Sequence, residues 1–273
     1  MIDTVTIAFA DELDVLRLQA RSIDLYCQEI GINNIIVVVN DDLELVQQID
    51  PAWWGSLSSR VKIVHKSHWG DRWAENGWLT QQLLKLRAAE SSTNIWSMIL
   101  DAKTIFVQTL KIERIFDQQG RLRTGLHTVS PVFEPSARLV SQLFDINLTQ
   151  VAGPSGVPFF FNNQLIKQMI PVIEQQTGQE FNSWFQEQGM ITEFILYTGY
   201  VQSQHDLNTV YAPGDFYKIC NICHSELARA NDKLADMLDT DTLTVSVHRR
   251  AWAQFTAEQQ LKYLSLLESK GVV

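Results

Sequence analysis

Thiols are scarce: Cys27, Cys220 and Cys223 are the only cysteines in 273 residues. No disulfide framework can be built on so few, and a reducing compartment is the consistent setting. Long apolar runs are missing as well. The longest, Ile35 to Val39, is far too short to cross a bilayer, so no transmembrane segment is expected. Met1-Ile2-Asp3-Thr4 has no basic leader region, so no signal peptide is expected and the cytoplasm is the expected location. Positive charge is also in deficit: 22 Lys and Arg stand against 31 Asp and Glu, a net charge of -9. General nucleic-acid binding needs the opposite balance, so nucleic acid is excluded as an expected partner. A phosphorylated small molecule remains compatible if basic residues are gathered locally. Several motifs are absent: G-x-G-x-x-G after the first strand, the P-loop, G-x-S-x-G and H-E-x-x-H. Cys220-Asn221-Ile222-Cys223-His224 fits the haem-attachment pattern, but that chemistry goes with export, and zinc would need further ligands, so two ordinary thiols are expected.

What is present describes a globular α/β chain. The hydrophobic fraction is 45% and the charged fraction 19%, ample for a sizeable core. Val5 to Ala10, Ile35 to Val39, Val61 to Val64 and Ile95 to Leu100 read as buried strands. Leu13, Leu16, Ala20, Ile23, Cys27 and Ile30 share one face of a helix that Gly31 would stop, and Leu79, Leu83 and Leu86 mark a second helix. Strands alternating with helices predict parallel pairing with both faces covered. In such sheets ligands bind beyond the carboxyl ends of the strands. Here those ends are Ala10-Asp11-Glu12, Asn40-Asp41-Asp42, His65-Lys66 and Asp101-Ala102-Lys103. Trp53, Trp54, Trp69, Trp73 and Trp78 fall close together, as core or as a partly exposed aromatic region.

The second half is less regular. Residues 121–128 read as a strand and 153–158 as a loop of turn formers. Leu165 to Gln176 has helical spacing but contains Pro171, which predicts a kink or a division. Trp184 to Tyr200 reads as mostly helical, and Leu243 to Val247 as a strand. Thr256 with Gln259 forms a capping-box pattern opening a last helix that ends near Gly271. No repeat or linker interrupts the chain, so one domain over 1–273 is expected.

A hydrophobic strand running into Ile99-Leu100-Asp101-Ala102-Lys103-Thr104-Ile105-Phe106 resembles the Asp-x-Asp region of GT-A-fold glycosyltransferases. Thr4 to Phe9 resembles that fold's opening nucleotide-binding strand. Gly77 to Leu86 resembles its Q-Q-x-x-K helix, Thr192 to Tyr197 its acceptor-side S/T-E-x-x-L-Y segment, and Val245 to Arg250 its late His-containing strand. The set is similar to an uncharacterised bacterial family of glycosyltransferase-like proteins. The resemblance implies a GT-A-like, Rossmann-type mixed sheet flanked by helices on both faces, with a nucleotide-binding half (1–110) and an acceptor-binding half (111–273). It implies transfer of a sugar, hexosyltransferase-like, from a nucleotide-sugar donor to a hydroxyl of a glycan or other acceptor.

One departure stands out. Lys103 occupies the position where the family motif has its second acid. The diphosphate charge must be offset by a metal or by a cation of the protein. Either Asp101 and His248 hold Mn²⁺ or Mg²⁺, or Lys103 or Arg249 meets the phosphate with no metal. Gln81 and Lys85 lie four apart, on one helix face that can reach the donor or the end of the fourth strand. Phe9, Asp11, Asn40 and Asp41 would meet the donor nucleotide. Glu193, in an apolar surround, would take the proton of an acceptor hydroxyl or only bind it. The alternatives are a binding protein that kept the fold and lost catalysis, and a sugar nucleotidyltransferase; the latter's Gly-rich basic loop is not visible between Ala10 and Arg17.

Overall fold

The computed structural model describes residues 1–153, 157–212, 214 and 216–273. Its first part is a regular alternation: β1 (Ile2–Ala8), α1 (Leu13–Tyr26), β2 (Ile32–Val39), β3 (Val61–His65), α2 (Gly77–Ser91) and β4 (Trp96–Asp101). All seven residues of β1 are buried, as a strand covered on both faces requires. β1 begins three residues before Val5 and ends at Ala8, because Phe9 already opens a 3-10 turn over Ala10–Glu12. α1 stops at Tyr26, short of Ile30. A separate 3-10 turn, Gln28–Ile30, follows, and Gly31 ends that turn at φ 66, a conformation that costs glycine little.

The main sheet has the order β3-β2-β1-β4, completed by the strand Phe159–Asn162 beside β4. The first four strands run parallel; the fifth is antiparallel, so the sheet is mixed and not purely parallel. Register brings the carboxyl ends level: Ala8 lies opposite Val39, Val39 opposite His65, and Ile7 opposite Asp101. The order reverses at β1, whose sequence neighbour β2 lies on one side and β4 on the other. The gap between the ends of β1 and β4 is therefore a topological switch point, the place where open α/β sheets form a crevice.

A second sheet joins Lys218–Ile222, parallel, to Thr242–Val247, which takes β5 (Ile105–Phe106) antiparallel on its other side. It has a smaller core of its own, including Val107, Val245, Val247 and Leu267. Asp101 to Thr104 is the connection from the first sheet to the second.

Elsewhere the sequence reading needs correction. The strand expected over 121–128 is two strands: Leu122–Arg123 pairs with Tyr211–Ala212, and Gly125–Thr128 with Gln150–Gly153. Residues 154–156 of the expected loop lie outside the described residues. Asn163–Thr177 is one helix that continues through Pro171, because buried Ile166, Met169, Ile170 and Ile173 anchor it on both sides of the proline. The stretch 184–200 divides into Phe181–Glu187 and Glu193–Gln204, with Gly189 at φ 69 between them. The helix Glu193–Gln204 packs closely on Glu134–Phe144: a Cβ at Gly199 would collide with Val140. The last helix, Ala257–Ser269, opens with the expected capping box of Thr256 and Gln259. In the tryptophan-rich region Trp54 is core, Trp53 stacks on it with ring centres 6.2 Å apart, and Trp78 is exposed.

Candidate active site

The residues at the switch point assemble around Asp101. Its Oδ2 accepts from Lys103 Nζ at 2.8 Å, and its Oδ1 accepts from Lys85 Nζ at 3.0 Å and Gln81 Nε2 at 3.3 Å. The helical spacing of Gln81 and Lys85 explains their convergence on one oxygen. Asn76 fixes the start of α2 by accepting from the backbone N–H of Trp78 and Leu79. Lys85 Nζ also donates to Glu193 Oε1 at 3.0 Å and lies 5.4 Å from the centre of the Phe194 ring. Thr192 caps the helix that Glu193 begins, and its own N–H donates to Ser136.

Burial grades this chain of charges. The side chains of Lys85 and Glu193 are 4% and 1% exposed, while Asp101 and Lys103 are each 22% exposed. Burial pushes the Asp101 carboxyl up, but the Lys103 and Lys85 ammonium groups outweigh it and hold it far below the usual carboxylate range. Burial pulls Lys85 down, yet Asp101 and Glu193 outweigh that and hold it firmly protonated. Glu193 differs: burial raises its pKa and Lys85 only partly offsets this. Its Oε2 has no hydrogen-bond partner among the described residues.

The turn under Asp101 is braced from below. Thr104 N donates to Asp101 O at 2.9 Å. Gln19, fully buried on α1, donates through Nε2 to the carbonyls of Asp101 and Thr104, at 2.5 and 3.2 Å, while its Oε1 accepts from Thr6 of β1. The Lys103 side chain thus projects from a rigid backbone.

The other expected residues form a rim. Asp11 pairs with Arg249, so Arg249 spans from the second sheet to the loop after β1. Asn40 donates to Gly77 O at 3.3 Å, and Phe9 packs beside the same glycine. Asp41 accepts from the N–H groups of Ala10 and Asp42, and its carbonyl meets His65, so it ties three strand ends together. His248 caps the turn after Thr242–Val247; its Nδ1 accepts from Arg250 N, which leaves the neutral ring's hydrogen on Nε2. Burial, Lys103 and Arg250 all lower its pKa. Cys220 is buried and Cys223 exposed, both as free thiols.

Two expectations need revision. Glu193 was expected to touch an acceptor hydroxyl, but it is fully buried and reaches the crevice only through Lys85. For the diphosphate charge two alternatives were open: a divalent cation on Asp101 and His248, or Lys103 or Arg249 with no metal. Both carboxylate oxygens of Asp101 are already engaged by ammonium groups, and His248 faces the same Lys103. Among the described residues no three His, Cys, Asp or Glu side chains converge as a metal would require. The residues here do not fit a metal.

Sequence reasoning missed Glu12 and Gln19. Glu12 lies in the turn after β1, half-buried, with its pKa raised by burial against the opposing pull of Lys103. Its position at a strand end was the available signal. Gln19 carried none, since it sits among the buried residues of α1. A cavity of about 650 Å³ lined by Glu113, Arg114, Arg123, Phe216, Lys218 and Asp241 shares no residue with this site. Its cations are engaged: Arg114 pairs with Asp241, Lys218 with Asp236 and Asp239, and Arg123 donates to two carbonyls. The Asp101 cluster is the better candidate because it lies at the carboxyl ends of the parallel strands, at the switch point of the sheet.

The sequence model of a family of unknown function, DUF6492, matches residues 3–232. A search of curated proteins finds no significant match. The structure of the galactosyltransferase LgtC in complex with donor and acceptor sugar analogues is similar over 99% of this chain and 100% of its own, with 13% identity and a TM-score of 0.53. An active-site mutant of LgtC aligns over 96% of this chain and 95% of its own, with 13% identity and a TM-score of 0.49. Mouse xyloside xylosyltransferase 1, in its apo form, aligns over 92% and 99%, with 12% identity and a TM-score of 0.44. The first of these shows the fold: this chain has the mixed α/β GT-A architecture expected from its sequence.

Proposed function

The chain belongs to the DUF6492 family, and we propose that it is a glycosyltransferase, moving a sugar from a nucleotide-sugar donor to a hydroxyl of a glycan or other acceptor. The observation that carries this reading is the Asp101 cluster at the switch point between β1 and β4, where the partly exposed Lys103 ammonium group is backed by the buried Lys85 in an otherwise acidic protein. Phe9, Asp11, Asn40 and Asp41 form the rim for the nucleoside. Lys103 answers the diphosphate charge, with the buried Lys85 behind it. Gln81 and Asp101 orient the two lysines, and buried Glu193 positions Lys85.

In the transfer, the bond from the sugar C1 to the diphosphate oxygen breaks and its electron pair leaves with the nucleoside diphosphate. The acceptor oxygen bonds to C1 and its proton passes to a base. Asp101 is a poor base, since its lysines hold it ionised with a depressed pKa. Glu12, half-buried at the same strand ends with a raised pKa, is the better candidate.

Purified protein incubated with a panel of nucleotide sugars, scored for hydrolysis and for transfer, tests the reading. Release of nucleoside diphosphate that is lost in Asp101→Ala is the expected result. No nucleotide binding under any condition, with turnover unchanged in Asp101→Ala, would sink it. A second reading, binding without catalysis, draws on the fully engaged Asp101; turnover on any acceptor excludes it.

A further inference from the structure

We propose that the Asp101 centre holds the donor diphosphate with the ammonium group of Lys103, backed by the buried charge of Lys85, in place of a divalent cation. This rests on the glycosyltransferase reading above.

The contacts around Asp101 motivate it. A metal bound there would have to displace an ammonium group from one carboxylate oxygen, at 2.8 Å on Oδ2 or 3.0 Å on Oδ1. It would then sit beside two positive charges with a single half-exposed carboxylate as its anionic ligand. Glu193 cannot become a second ligand, because it is buried behind Lys85. A diphosphate meets the opposite situation. It is an anion that can compete with the Asp101 carboxylate for the partly exposed Lys103, and ammonium groups donate charge-assisted hydrogen bonds to phosphate oxygens.

The two lysines are anchored differently, which assigns them different parts. Lys85 is gripped from both sides, by Asp101 and Glu193, and stays as a fixed buried charge. Lys103 has one side-chain anchor, Asp101 Oδ2, and is the more exposed of the two. It can leave that oxygen for a phosphate while Asp101 keeps Lys85 and Gln81. Lys103 therefore takes over the β-phosphate oxygen that receives the electron pair when the C1–O bond breaks. The ammonium group keeps its protons and offsets the charge by hydrogen bonding.

Titration calorimetry of the full chain with uridine, guanosine, cytidine, adenosine and thymidine diphosphates, in EDTA and in Mn²⁺, tests this. The wild type is expected to bind its preferred diphosphate with affinities in EDTA and Mn²⁺ within about threefold of each other, less than the loss of one charged hydrogen bond. Lys103→Gln is expected to weaken binding about ten- to hundredfold in both media. Lys103→Asp, with a second acid at that position, is expected to bind only in Mn²⁺. Circular dichroism confirms that both variants fold. Wild-type binding that needs Mn²⁺ would overturn the proposal and leave the glycosyltransferase reading standing. Binding by Lys103→Asp that is as strong in EDTA as in the wild type would overturn the placement of Lys103 on the diphosphate. No binding of any diphosphate in either medium would overturn the glycosyltransferase reading, and the proposal with it.

Discussion

Two aspartates, Asp3 buried and Asp101 partly exposed, sit at opposite ends of neighbouring strands, and they are held by opposite means. Asp3, at the start of β1, accepts from Asn34 N and Nδ2, Asn94 Nδ2 and Ser92 Oγ at 2.5 to 3.0 Å, all neutral donors on nearby loops and strand starts. Asp101, at the end of β4, is held by two ammonium groups and an amide. Neutral donors fixed to the backbone make a closed knot that ties loops to a sheet. Long cationic side chains make an open one, because an arriving anion can compete for them. The charge and reach of a carboxylate's partners separate the structural aspartate from the candidate functional one.

Breaking each knot should show that contrast. The largest effect is expected from Lys85→Met, which strands the fully buried Glu193 carboxylate and leaves Asp101 with only Lys103 and Gln81. It should cost about 3–5 kcal/mol in urea unfolding, and adding Glu193→Leu should recover much of it. Asp101→Asn should reduce transfer by about a hundredfold with a smaller loss of stability, as removal of a preorganised electrostatic group does. Asp3→Ala reverses the pattern: about 1–3 kcal/mol of stability lost from unpaired donors, with diphosphate affinity unchanged by calorimetry. Lys103→Gln should shift stability by less than about 1 kcal/mol, since that pair is partly solvated.

The smallest effect is a pH dependence at Glu193. Its folded pKa is raised above 4.5 by burial. Its contribution is then fully present below 4.5 and is lost as pH rises through the folded value. The wild-type minus Glu193→Gln difference in unfolding free energy should accordingly fall as pH rises from 4.5. A difference that is flat in pH would mean Glu193 titrates alike in both states. Asp101 runs the other way. Its depressed pKa contributes stability above the ordinary carboxylate range, lost only in stronger acid.

Much of this site was legible in the sequence because its geometry is local. Apolar runs located β1 to β4 to within a few residues, and the four-residue spacing of Gln81 and Lys85 foretold that they share a target. Asp101 followed from the strand-end rule. The contact between Lys85 and Glu193 spans 108 positions, and no local pattern encodes it. For that reason Glu193 was read as facing an acceptor, and its place beneath the lysine emerged only from the packing of its helix against Glu134–Phe144. Pro171 does not divide its helix for a related reason: tertiary burial on both sides outweighs a single missing backbone donor. The Asp3 knot went unread because Asn34, Ser92 and Asn94 look like ordinary loop residues in sequence.

Gln19 adds a consequence for how such a site can diversify. One amide already occupies the carbonyls of Asp101 and Thr104, so those two groups hold the turn in place while the Lys103 side chain projects from it. Position 103 becomes an interchangeable letter on a fixed frame. Exchanging lysine for an acid or an amide there rewrites the counter-ion chemistry of the crevice without redrawing the loop that displays it.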